Sequence, residues 1–256
     1  MSKERSDPRC DTLRFGEPWE KLELLKELEE IAKDCRSAAD KVSRNGLTAA
    51  ERERNKPWRE FRRRIGFPLF ELVLDMAQGG RSESRDVAAD ILAHLWHPAA
   101  VDRLVEDIKE NADTLLGTQF LGIFINLGGI GTEVAARGLI SLWEEPLWRP
   151  YITEALEACG SKAGEAFLMT QALENKDPYV RGSCISRLNS EVSDKKINFL
   201  QEKLKRGESF ERLAAIKKIL EMRLTSMAPD LMNIYNTSSD PALKEIRETL
   251  RSMRKR

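Results

Sequence analysis

One apolar pattern recurs along this chain and constrains its fold more than any other feature. It is an apolar residue followed by others four, five and eight positions later. Val87, Ile91, Leu92 and Leu95 satisfy it, as do Leu116, Phe120, Leu121 and Phe124; Tyr151, Ala155, Leu156 and Cys159; and Val180, Cys184, Ile185 and Leu188. Offsets of four and eight share one face of a 3.6-residue helix, so each set marks an apolar helical stripe. The sets begin 29, 35 and 29 residues apart. A period of that size belongs to stacked helical units, none of which can bury its stripe alone. A fifth copy, ESFERLAAIKKIL, keeps Ala215, Ile216 and Ile219 but places Glu211 at the anchor; a sixth, DPALKEIRETL, fits loosely.

Between the stripes lie partner segments of helical composition: HPAAVDRLVEDIKE, GTEVAARGLISLWEE, KAGEAFLMTQALEN, SDKKINFLQEKLKR and TSMAPDLMNIYN, with FPLFELVLDMAQ opening the first pair. Short breakers separate them: QGG, HP, LGG, EEP, CGS, NKDP, RGE and SSDP. No stretch alternates with a period of two, so no sheet is expected. Upstream, Pro18 suits the first turn of a long helix. Its stripe runs through Trp19, Leu22, Leu25, Leu28, Ile31, Cys35, Ala39 and Val42, and Asn45-Gly46 ends it. Residues 1–16 show no periodicity and read as a flexible tail. The organisation expected is therefore that tail, an N-terminal helical cap over residues 17–66, and an array of five to six helix pairs over 67–256.

Residues 177–188, DPYVRGSCISRL, resemble the second helix of a HEAT-like repeat, in which Asp-Pro-x-Val-Arg is followed by small and apolar residues. Asp177, Pro178, Val180 and Arg181 match that motif, and Asp240, Pro241, Leu243 and Lys244 echo it in the last unit. Elsewhere the motif is degenerate, with Ser84 or Glu208 in place of the Asp and Ala88 or Gly117 in place of the Arg. The resemblance covers about residues 67–256. It implies an all-α fold, an α-α superhelix of the HEAT-like solenoid (armadillo-like helical) kind. It also implies an Asp–Arg ladder between repeats, which would be partial here, since only Arg181 and Arg212 stand at its positions.

Composition narrows the function. Lys+Arg and Asp+Glu both number 42, so no global field draws the chain toward nucleic acid or anionic lipid. No apolar run approaches the roughly 20 residues of a membrane helix, and the start lacks an apolar signal core. A cytoplasmic protein without a membrane partner is expected. Cys10, Cys35, Cys159 and Cys184 form no CxxC pair and read as reduced thiols.

Several residues invite chemistry. Cys184 lies between Arg181 and Arg187, and an electropositive setting can activate a thiol. Its place in the apolar column of Ile91, Phe120 and Ala155 favours packing instead. Asp90, His94 and His97 fall near one helix face, yet a metal site needs three or four ligands and His97 precedes Pro98. NLGGIGTE lacks the Gly-Lys-Ser/Thr ending and the preceding strand of a phosphate loop. LWEEPLWRPY combines Trp143, Trp148 and Tyr151 with Arg149, as binding hot spots do, although tryptophans also fill inter-repeat gaps. Residues 51–64 carry Arg52, Arg54, Lys56, Arg59, Arg62, Arg63 and Arg64 against Glu51, Glu53 and Glu60, a basic patch echoed by the terminal RSMRKR.

The expectation is a non-enzymatic HEAT-repeat scaffold or adaptor that binds a protein or peptide on its concave face, with no catalytic residue, metal or cofactor. Arg181, Arg187, Arg212 and Lys217, on second helices, with Trp143, Trp148 and Arg149, are the binding candidates; Arg59, Arg62, Arg63 and Arg64 form the basic patch. Nucleic acid is the second partner class. HEAT-like alkylpurine DNA glycosylases use a basic concave face, tryptophans and a carboxylate, roles that Trp143, Glu144, Glu145, Trp148 and Arg149 would fill. Phycobilin-lyase-like HEAT proteins are a further alternative on repeat similarity alone.

Overall fold

A computed structural model describes residues 7–43, 56–79, 82–111 and 117–237. Leu116, Asn45-Gly46, Arg52, Arg54, the SSDP breaker, the sixth repeat copy and RSMRKR lie outside the described residues. The described residues are all-helical, with no strand. The chain divides into two compact units, residues 1–142 and 143–256.

The first unit opens with α1 (Pro8–Phe15), inside the segment expected to be a loose tail. The expectation failed because α1 is too short for its stripe to show as periodicity. Asp7 accepts from the Arg9 N–H and caps the helix, and Cys10 and Leu13 are buried. α2 (Pro18–Ser43) buries Leu25, Leu28, Ala32 and Cys35 and packs on α5 (Glu83–His94). Trp19, expected to begin that stripe, is exposed. α3 (Pro57–Ile65) and α4 (Phe67–Ala77) complete this layer, α3 against α2 and α4 against α5. The described residues of the segment 17–66 fall in the first unit, and the chain divides at residue 142. α6 (Val101–Asn111), α7 (Gly117–Ile130) and α8 (Glu133–Ile140) follow.

LGG, expected to break a helix, lies inside α7. Gly129 instead makes room for Trp96: a Cβ there would stand 2.4 Å from the indole Nε1. Trp96 is one of two non-glycine residues with positive φ among those described, the other being Arg223. Both end helices by the same device, in which the next N–H reaches back five residues, His97 to the Leu92 carbonyl and Leu224 to that of Ile219. The guanidinium of Arg36 lies 4.0 Å over the Trp96 ring and donates to Asn126.

The second unit holds α9 (Arg149–Cys159), α10 (Lys162–Glu174), α11 (Pro178–Ser186), α12 (Asp194–Arg206), α13 (Ser209–Glu221) and α14 (Ala228–Thr237). α10 packs on α11 and α12 on α13, while α9, α11 and α13 lie side by side in that order. These three carry the recurring apolar sets. Ala155, Leu156, Cys159, Cys184, Ile185, Leu188, Ala215, Ile216 and Ile219 are all buried. Gly182 lets α11 approach α13 closely, since a Cβ there would meet the Phe210 carbonyl oxygen at 3.2 Å. Asp177 caps α11 by accepting from the Tyr179 N–H at 2.8 Å, with Pro178 in the first turn.

Candidate functional site

In the second unit, α9, α11 and α13 are tied by polar contacts spaced one repeat apart. Arg187, just past the end of α11, pairs with Glu157 of α9 at 2.7 Å, 30 residues back, and Thr153 Oγ1 stands 3.4 Å from Ser183 Oγ at the same offset. Arg181 reaches forward 30 residues to Glu211 at 3.0 Å and also bonds Glu208 at 2.7 Å. Glu211 is buried and additionally takes Lys203 and the Glu208 N–H. Burial would raise its pKa, but the hydrogen bonds from Arg181, Lys203 and the Glu208 amide outweigh that and hold it at about 2. The anchor residue that breaks the apolar pattern is therefore the acceptor for the arginine of the preceding copy.

These ties place Arg181 differently from the outward contact expected of it. Its Nη1 donates to the Asn175 and Lys176 carbonyls, its other nitrogens serve the two glutamates, and little of it reaches solvent. Arg187 is half-exposed but neutralised by Glu157, with Glu154 at 3.8 Å. Arg212 donates to the Gly207 carbonyl, and only Lys217 of the four cations stands exposed. Cys184 is fully buried, and that burial pushes its thiol up to about 12, far from a nucleophile.

The same helices also offer solvent apolar side chains. Tyr179 at the start of α11 is 61% exposed and Phe210 at the start of α13 is 50% exposed, with their ring centroids 4.1 Å apart. Leu147, in the short turn before α9, is 78% exposed. Beside them is a recess of about 260 Å³ lined by Pro146, Arg149, Thr153, Asp177, Tyr179 and Ser183, among others. Trp143 takes no part in this surface. It is buried edge-on against Phe167 at 5.0 Å, with Arg149 5.5 Å over its ring and bonded to its carbonyl. Trp148 is half-buried in the same turn.

In the first unit, α3 gathers the basic patch. Arg59, Arg62, Arg63 and Arg64 are exposed, and Glu60 accepts from both Arg63 (2.7 Å) and Arg64 (2.9 Å), which holds its carboxyl at about 2. Arg62 lies 4.9 Å over the Phe67 ring and Arg59 5.1 Å over Trp58. Trp58, Arg59, Arg62, Arg63, Gly66 and Phe67 line an open recess of about 720 Å³.

The histidines diverge. His97 sits edge-on to Trp58 and Phe70, both at 5.7 Å, and its Nδ1 accepts from the Ala99 N–H. Burial, then the nearby Lys56, lower its pKa to about 4. His94 faces Glu29 at 3.6 Å. Among the described residues no cluster of three or more His, Cys, Asp or Glu is arranged to hold a metal.

The residues missed from sequence are Tyr179, Phe210 and the acids Glu157 and Glu211. The acids had a readable signal, an opposite charge 30 residues from each arginine; the exposed aromatics had none. No protein-family model matches the chain, and no curated protein matches it.

Proposed function

We propose that this chain is a non-enzymatic HEAT-like repeat protein whose second unit binds an extended segment of a partner protein. The observation that carries this reading is the division of labour on α9, α11 and α13. Arg181 and Arg187 are held by carboxylates one repeat away, while Tyr179, which lines the recess, Phe210 beside its ring, and Leu147 remain exposed. A surface of that kind suits side-chain burial better than phosphate attraction. The reading therefore rests on Tyr179 and Phe210 rather than on the cations expected to act.

The recess selects its occupant. Asp177 supplies its carboxylate, while Arg149 donates its Nε to the Trp143 carbonyl and lies over the Trp143 ring. Thr153 and Ser183 supply hydroxyls. An extended segment with a proline or leucine beside a lysine or arginine meets these groups, the apolar residue against Tyr179 and the cation against Asp177. The DNA-repair reading draws less from this face, because Trp143 is buried and Arg181 and Arg187 are ion-paired.

The test titrates the whole protein with labelled peptides pairing a proline or leucine with a lysine, and with duplex DNA at low and moderate salt. The expected result is peptide binding that weakens at least ~5-fold in Tyr179→Ala and in Phe210→Ser, as hot-spot truncations do. Both side chains are half or more exposed, so the variants keep their fold. Duplex binding that falls steeply with salt, with no peptide binding, would overturn the proposal.

A further inference from the structure

The recess in the second unit has an aromatic wall, and that wall is held from behind. Tyr179 lines the recess and Phe210 does not, although their ring centroids stand 4.1 Å apart at an interplanar angle of 52°. Phe210 therefore meets the Tyr179 ring away from the recess. The ring needs such a contact. It stands in the first turn of α11 and is mostly exposed. Among the described residues, the Phe210 ring is the one ring or polar partner that the Tyr179 side chain has.

Phe210 is fixed in turn by its chain neighbours. It sits at the start of α13 between Glu208 and Glu211, and both carboxylates bond one guanidinium, that of Arg181 in α11, at 2.7 and 3.0 Å. The Nη1 of Arg181 donates to the Asn175 and Lys176 carbonyls at 2.8 and 3.1 Å, which ties the fork to the turn before α11. A planar fork bonded at several points fixes direction as well as distance. Gly182 completes the seat, because a Cβ there would stand 3.2 Å from the Phe210 carbonyl oxygen and 3.5 Å from the Phe210 Cβ. The first turn or so of α11 thus carries the ring that is held, the fork that grips α13, and the bare position that admits Phe210.

We infer, on the reading of this recess as a peptide site, that Phe210 and Arg181 are positioning residues that hold the Tyr179 ring at the recess and make no contact with the bound segment. The fork of Arg181 sets the start of α13, that start sets Phe210, and Phe210 sets the ring. A ring already held gives up less freedom when a proline or leucine packs on it, so affinity rises without an added contact.

Two measurements on the full chain test this. The first needs no peptide. The chain has three tyrosines, so fluorotyrosine labelling gives a short fluorine spectrum in which Tyr179→Phe identifies the Tyr179 signal. That signal should move in Phe210→Ser, which removes the neighbouring ring, and in Gly182→Ala, which crowds Phe210. Arg181→Gln should move it too; Glu208→Gln, at an exposed carboxylate, is the milder variant should Arg181→Gln unfold the chain. The second is a binding cycle with a labelled peptide pairing a proline with a lysine. Phe210→Ser should weaken binding at least ~5-fold in the wild type but less than ~2-fold in a Tyr179→Ala background, where no ring is left to hold. A loss of the same size on both backgrounds would mean that Phe210 meets the peptide itself, and overturns the inference. So does a Tyr179 signal that stays in place in both Phe210→Ser and Gly182→Ala. A signal that moves in a protein that binds no peptide upholds the held ring and removes the peptide reading, so the two proposals fail separately.

Discussion

A single buried carboxylate shows how the residue scale works in this protein. Glu211 sits where the repeat pattern calls for an apolar side chain, and it is stable there only because Arg181, Lys203 and the Glu208 amide saturate it. Its folded pKa of about 2 lies below the 4.5 of an ordinary glutamate side chain. A depressed carboxylate contributes stability that is fully present above the unfolded value and is lost as pH falls toward the folded one. The contribution, on the order of 3 kcal/mol, should disappear between about pH 4.5 and pH 2. Urea unfolding of the wild type and of Glu211→Gln at pH 7, 4 and 3 reads this directly. The variant should be less stable at pH 7 by about 3 kcal/mol, and the gap should narrow in acid. A gap that stays constant across that range would mean the ladder is not where the charge of Glu211 acts. At this scale the sequence was legible where one residue's neighbours in the repeat column spoke for it. Cys184, flanked by arginines, belonged to an apolar column and is buried. Arg181 was read as outward because its partner is 30 residues away, beyond the reach of local inspection.

Elements were legible where their apolar stripe ran for several turns. α2, α4, α5, α10 and α12 lie where periodicity put them, while α1 was too short to declare itself. The glycines misled more instructively. Gly122 and Gly129 both lie within α7, yet their surroundings differ: a Cβ at Gly122 meets nothing within 4 Å, and one at Gly129 meets the Trp96 indole at 2.4 Å. Composition cannot separate a glycine that ends a helix from one that admits a neighbour's ring. The pair makes an internal control. Gly122→Ala should stabilise by about 0.5–1 kcal/mol through helix propensity. Gly129→Ala should cost about 1–2 kcal/mol, because overpacking against Trp96 outweighs that gain. Thermal melts of the two variants check the contrast; two variants shifting the same way would show that the indole moves aside freely.

For the whole molecule, what matters is where the ties run. In the second unit four inter-helix ion pairs among the described residues close within residues 143–256: Arg187 to Glu157, Arg181 to Glu211, Lys196 to Glu165 and Lys203 to Glu211. Trp143, at its border, packs inward on Phe167 of the same unit. Units built from nearest-neighbour contacts carry most of their stability internally. A fragment spanning residues 141–256 should therefore fold alone. It should unfold cooperatively in urea, with an m-value smaller than that of the full chain roughly in proportion to the surface it exposes. Trp143 in its edge-on setting supplies a near-ultraviolet dichroism signal that should be lost in the same transition. The fragment retains Tyr179, Phe210 and Asp177, so it should also keep the peptide affinity of the parent. A fragment without a cooperative transition would mean that residues 1–142 supply part of the core of the second unit, and the boundary at residue 142 would then not be a folding boundary.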